Sequence, residues 1–260
     1  MRIALAQYRP ADNLDSALLM AVAACEAAAA GGAGLICFNQ FFLGLIDQKY
    51  DARVIKSLSD TARRLQLAIV TGNIIIDENS CEASSAYFDA EGNLAAFEPE
   101  KTGACGWHKP ITLFETPLGP LLVLSELEAY DSGIEPVIRE LKPKVILMQV
   151  SPISLLELEA IKELTIQRSY NQAHLVLTAA IVGDFAGGRY IGGSMAVLQG
   201  RIIGEGAVDA VDLLIVDADL GQTVDYQTLR ETVAIPELLR QKLLHESRVK
   251  DGAGRGEELR

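Results

Sequence analysis

The sequence predicts a layered α/β fold in which sheets lie buried under helices. Three observations carry this. Short apolar runs rich in β-branched residues alternate with stretches whose apolar residues recur at helical spacing, over nearly the whole length. The same alternation resumes after an irregular stretch from Glu98 to Pro110, so the second half repeats the organisation of the first. No Pro- or Ser-rich linker divides the 260 residues, and 49% hydrophobic content supplies one sizeable core. We therefore expect a single domain over residues 1–249 and a flexible tail, KDGAGRGEELR, over 250–260.

The elements follow in order. Arg2 to Ala6 reads as a strand, Leu14 to Ala30 as a helix stopped by Gly31-Gly32, and Leu35 to Phe38 as a buried strand. Asp51 to Gln66 is helical and Leu67 to Gly72 is a buried strand. Asn73 to Asp77, Ala83 to Phe88 and Leu94 to Phe97 are further strands, the last two joined by the turn Asp89-Ala90-Glu91-Gly92. In the second half, Leu121 to Leu124 is a strand, Ile134 to Leu141 a helix, Val145 to Val150 a strand, Leu155 to Ala173 a long helix and His174 to Val182 a strand. Gly192 to Leu198, Ile202 to Gly206 and Asp212 to Val216 complete the β-structure, and Thr228 to Val249 is a charged helix.

Composition excludes several classes. A formal charge of −12 and a pI near 4.8 repel a nucleic-acid backbone and an anionic membrane surface. No run approaches the roughly 18 apolar residues of a membrane span, and the short apolar run at the N-terminus meets Gln7 and Tyr8 too soon for a signal-peptide core. Cys25, Cys37, Cys81 and Cys105 show no CxxC spacing, which fits reduced thiols in a cytoplasm. Neither a metal nor a cofactor is implied.

Three patterns carry a likeness to a known family. IALAQYRPADNLDSAL followed by GAGLICFNQFFLG pairs a strand ending in Gln with an Asn before the first helix and a second strand. TGNIIIDENSCEASSAYFDAEGNLAAF forms a hairpin with an aspartate–glycine turn. QRSYNQAHLVLTAAIVGDFAGGRYIGGSMAVLQGRIIGEG joins a helix end, a strand and a glycine–serine hairpin. In this order and spacing, over about residues 1–217, the chain resembles the nitrilase (carbon-nitrogen hydrolase) superfamily. The resemblance implies a four-layer α-β-β-α sandwich, commonly dimerising through helices so that the sandwich extends across two subunits.

It also implies a chemistry whose groups this chain lacks. The family hydrolyses amides and nitriles with a Cys thiolate nucleophile, a Glu general base and a Lys that stabilises the tetrahedral intermediate. Where the resemblance puts the base, after Leu35 to Phe38, this chain has Asn39-Gln40, and an amide does not titrate as a carboxylate does. Where it puts the nucleophile, counting from Gly119 leads to Glu126, a poor nucleophile toward amides. Ser125 lies one residue away and on the opposite face of a strand. The lysine position falls on Glu100, with Lys101 adjacent. If the strand continues past Leu124, Glu126 and Glu128 share a face and form a pair of close carboxylates.

Two readings of this cluster stand side by side. Gln40, Lys101, Glu126 and Glu128 form either a buried polar remnant or a site for a small polar or cationic ligand. The overall expectation is a catalytically silent protein of nitrilase fold, a homodimer kept for ligand binding, regulation or interaction. One alternative is an active carbon-nitrogen hydrolase with a rearranged set, Cys105 with Lys101 and Glu126; another is a structural subunit of a larger assembly. Cys105 and His108 together read as a loop, because a zinc site needs about four ligands and the chain has three His in all. Gly192-Gly193-Ser194 reads as a close strand approach, since no Gly-Lys-Ser/Thr follows to cradle phosphate.

Overall fold

The computed structural model describes residues 1–44, 51–73, 85–95, 112–171, 173–220, 239 and 241. In chain order the elements are β1 (Arg2–Gln7), α1 (Leu14–Ala30), β2 (Leu35–Phe38), α2 (Ala52–Leu65), β3 (Ala68–Val70), β4 (Tyr87–Phe88), β5 (Leu94–Ala95), β6 (Thr112–Thr116) and β7 (Gly119–Leu124). They continue with α3 (Glu126–Tyr130), α4 (Ile134–Leu141), β8 (Val145–Val150), α5 (Leu155–Asn171), β9 (Leu175–Ala180), β10 (Val182–Phe185), β11 (Gly188–Ile191), β12 (Met195–Leu198), β13 (Arg201–Glu205) and β14 (Asp212–Asp217).

Two six-stranded sheets form, in the orders β14-β1-β2-β3-β4-β5 and β13-β12-β9-β8-β7-β6. Each has three parallel strands at its centre, β1, β2 and β3 in one and β7, β8 and β9 in the other, with antiparallel strands outside them. Strand periodicity sorts the side chains into layers. On β1, Ile3 and Leu5 join Leu35, Cys37, Leu121, Val145 and Leu147 in a core between the two sheets. The alternate residues Ala4 and Ala6 join Ile36, Phe38 and Ile69 beneath α1 and α2. On the other side, Leu122, Ile146, Met148 and Val176 pack against residues of α3, α4 and α5. The result is the four-layer α-β-β-α sandwich expected from the sequence. Its central strands are mainly apolar because both of their faces are covered.

Local signals fix the helix ends. Asn13 accepts a hydrogen bond from the Ser16 amide at 2.9 Å and starts α1. Asp51 does the same for α2 through the Arg53 amide, also at 2.9 Å, and Gln66 closes that helix in the left-handed conformation.

Three elements depart from the sequence reading. β6 was not expected, yet it pairs with β7 along five residues. The β10–β11 hairpin begins within a stretch read as a single strand from His174 to Val182 and runs on through residues given no element in the sequence reading. The strand carrying Leu121 to Leu124 does not continue: Ser125 caps a new helix, α3, so Glu126 and Glu128 are on a helical turn and not on one strand face. Beyond Asn73, the expected strand from Asn73 to Asp77 lies outside the described residues, as do Cys81, Glu100, Lys101, Cys105, His108, the tail and nearly all of the expected helix over 228–249. Of that helix, Leu239 is described and buried against the α3–α5 layer.

Candidate functional site at the strand ends

The carboxyl ends of the central parallel strands β2, β3, β7 and β8 lie at one end of the sandwich, where crevices of open α/β sheets form. There the inter-sheet core gives way to polar side chains. Gln149 is two residues beyond Leu147 on β8 and shares its face, so it points between the sheets while remaining 1% exposed. Its amide nitrogen donates to the carbonyls of Phe38 and Thr71, both at 2.9 Å, and its oxygen accepts from the Ser85 hydroxyl at 3.1 Å. One side chain of the second sheet thus holds the ends of two strands of the first.

Those two strand ends carry the turn that presents Gln40. The Phe41 amide donates to the Asn39 side-chain oxygen at 3.0 Å, and the Asn73 amide donates to the Gln40 carbonyl at 2.9 Å. Glycine is required at 72, because a Cβ there would stand 2.1 Å from the Asn39 carbonyl oxygen. Asn39 is fully buried, and its side-chain nitrogen has no hydrogen-bond partner among the described residues. Next to the turn, Phe41 packs on Phe185 of the β10–β11 hairpin at 5.5 Å between ring centroids.

Gln40 and Glu126 meet. The Gln40 side-chain oxygen faces the Glu126 backbone amide at 3.5 Å, so the contact is to the main chain and not to the carboxylate. The Glu126 carboxylate turns the other way and is buried. One of its oxygens accepts from the Ser151 amide at 3.0 Å and from the Tyr130 hydroxyl at 3.3 Å, and the other accepts from the Ser151 hydroxyl. Glu128 folds back onto the helix start, where the Ser125 amide and hydroxyl both donate to it at 2.8 Å. This is a capping box, and it employs Glu128 locally, apart from Glu126.

The thiols among the described residues are not poised to react. Cys37, on β2 two residues before Asn39, is buried and its pKa is pushed up by desolvation. Burial likewise pushes the Cys25 thiol up to about 12. Behind β8, Arg168 of α5 forms an ion pair with Glu135 of α4 at 2.8 Å, both side chains being buried, and burial lowers the Arg168 pKa. No cluster of metal ligands occurs among the described residues, and no helix there is long and apolar enough to cross a membrane. Gly192 and Gly193 take positive φ, and the Ser194 amide donates to the Gln7 side-chain oxygen at 2.8 Å.

Gln149, Ser151 and Tyr130 were not singled out from the sequence, although Gln149 carried a signal as the one polar residue in the run VILMQV. Ser151 and Tyr130 carried none.

Among solved structures, a glutamate-to-glutamine mutant of the amidase from Nesterenkonia sp. AN1, with acrylamide added at its active-site cysteine, aligns with a TM-score of 0.69. The alignment covers 93% of this chain and 99% of that one at 20% identity. A cysteine-to-serine mutant of the same amidase, described as being from the nitrilase superfamily, gives a TM-score of 0.64 over 84% of this chain and 92% of that one at 18% identity. The fold is that of the nitrilase-superfamily amidases. A crystal structure of an amidase from Nesterenkonia sp. agrees, with a TM-score of 0.65, 84% and 90% coverage and 19% identity. No protein-family model and no curated protein matches the sequence. The nitrilase-type fold puts the Gln40–Glu126 contact at the carboxyl ends of the strands, the end where the sequence likeness expected catalytic groups.

Proposed function

We propose that this chain is a nitrilase-superfamily protein with a degenerate active site, silent as a thiol amidase or nitrilase and retained for binding a partner or a small ligand. The observation that carries this is the state of residue 126. It is a buried carboxylate turned onto Ser151 and Tyr130, beside an amide at residue 40 that cannot accept a thiol proton. The buried thiols of Cys25 and Cys37 offer no substitute.

The test incubates the full chain with amides, nitriles and carbamoyl compounds, and separately with acrylamide, reading ammonia release and intact mass. Neither turnover nor a rapid stoichiometric adduct is expected. Ammonia release that is abolished by Cys105→Ala would instead establish the rearranged hydrolase with Cys105, Lys101 and Glu126.

The partner this reading favours is a second copy of the chain, seated on the outer face of α5. Leu155 and Leu156 are 65% and 70% exposed there, and Tyr170 is exposed further along. A shallow groove of about 510 Å³ runs over Leu156, Glu159, Ala160, Lys162 and Ile166. An isologous dimer needs a self-complementary patch, and this one carries both charge signs beside apolar side chains. A dimeric native mass that becomes monomeric in Leu156→Glu is expected. A parent that is monomeric at micromolar concentration would remove the homodimer, and a larger mass with a different chain present would favour the structural subunit.

A further inference from the structure

Among the described residues, a backbone amide and two hydroxyls converge on the Glu126 carboxylate, and they come from two separate elements. The Ser151 amide and hydroxyl stand at the end of β8, while the Tyr130 hydroxyl stands at the end of α3. Their placement has supports of its own. Val150 pairs with Ala180 of β9 and its carbonyl accepts from the Ile181 amide at 3.2 Å, which fixes the strand end carrying Ser151. Just beyond, the Ile153 amide is held by Glu157 at 2.9 Å. The Tyr130 side chain is fully buried among Ile134, Ile138 and Met148. A backbone N–H and two hydroxyls, buried and aimed at one point, are a donor set suited to a carboxylate.

We propose that these donors form a carboxylate-binding cradle whose built-in occupant is Glu126, so that the site is self-liganded in the native protein. When the Glu126 side chain is cut back, the cradle takes a small aliphatic monocarboxylate from solution. The proposal deepens the reading of a silent site and rests on it for residue 126 being an occupant and not a reactant. It also says why a polar ligand has no vacancy at this point: the chain already fills it.

Size makes the claim sharp. Glu126→Ala removes Cγ and the carboxylate group, the heavy atoms of acetate; Glu126→Gly removes those of propionate. The experiment measures Tm of the full chain and both variants in acetate, propionate, propionamide and chloride at equal ionic strength. Both variants are expected to melt below the parent in chloride. Acetate should restore at least half of the loss in Glu126→Ala with saturable dependence, propionate should act better in Glu126→Gly, and neutral propionamide should do neither. The parent should not respond.

Equal effects of carboxylate and chloride on the variants would overturn the proposal, and so would a parent that responds as strongly as the variants. If neither variant accumulates folded, refolding yield becomes the readout, and recovery that is no better in carboxylate than in chloride overturns it equally. The ammonia assay is independent of these melts, so turnover by the parent would sink the silent-site reading, whereas failed rescue would sink the cradle alone.

Discussion

Replacing Gln149 by Leu tests whether the two sheets are tied together at the site by one amide. The substitution keeps an apolar stem of similar volume at a position 1% exposed, so little packing is lost. It deletes three hydrogen bonds: two from the side-chain nitrogen to the carbonyls of Phe38 and Thr71 at 2.9 Å, and one from Ser85 at 3.1 Å. Each contributes about 1 kcal/mol net, and a buried group deprived of its partner costs about 1–3 kcal/mol, so the variant should lose roughly 3 kcal/mol or more. For a chain of this size that corresponds to a fall in Tm of about 6–12 °C. Urea unfolding should show a lower midpoint with an unchanged slope, since the surface exposed on unfolding is the same. A Gln149→Leu protein within about 0.5 kcal/mol of the parent would refute the reasoning, because changes that small are typical of surface positions. In a cycle with Ser85→Ala, the two losses should fail to add.

Two further outcomes follow from the same structure. Asp51→Ala should cost about 1 kcal/mol by uncapping α2. Hydrogen bonding to Arg53 holds the Asp51 carboxyl below its ordinary value, so the carboxylate's extra contribution is full above about pH 4, its unfolded value. It is lost as pH falls through the lower folded value; Asp51→Asn should lack this dependence when stability is followed from pH 6 to pH 2. Arg168→Met should cost about 3–5 kcal/mol by removing the guanidinium that faces the buried Glu135 carboxylate, while adding Glu135→Leu should recover most of the loss in denaturant titrations.

The layers were legible because strand and helix periods are written in apolar residues, which is why α1, α2, α4, α5 and the central strands could be read in order. What escaped lacked such a period. β6 follows a stretch whose sequence has no apolar period and, among the described residues, pairs with its neighbour β7, and α3 is five residues long, too short for a helical pattern to repeat. That short helix decided the site. Extending the strand through Glu128 paired two carboxylates on one face, whereas the turn at Ser125 sent Glu128 to cap the helix and Glu126 inward to Ser151. The contact between positions 40 and 126 was legible from the family likeness alone, since 86 residues separate them and no local pattern joins them.

The polar groups at the strand ends also explain how a carboxylate is held buried at this end of the sandwich. A buried carboxylate with no donors would be expelled or would destabilise the end of β7, yet here a main-chain N–H and two hydroxyls receive it. Gln40 keeps its place because its turn is held by groups other than its own side chain: the Asn73 amide, Gly72, and the strand ends that Gln149 pins. A substitution at residue 40 or 126 therefore alters the chemistry offered at this end of the sandwich while the supports on β3 and β8 hold the backbone where it was. Those supports, more than the side chains at residues 40 and 126, are what mutation should find least replaceable.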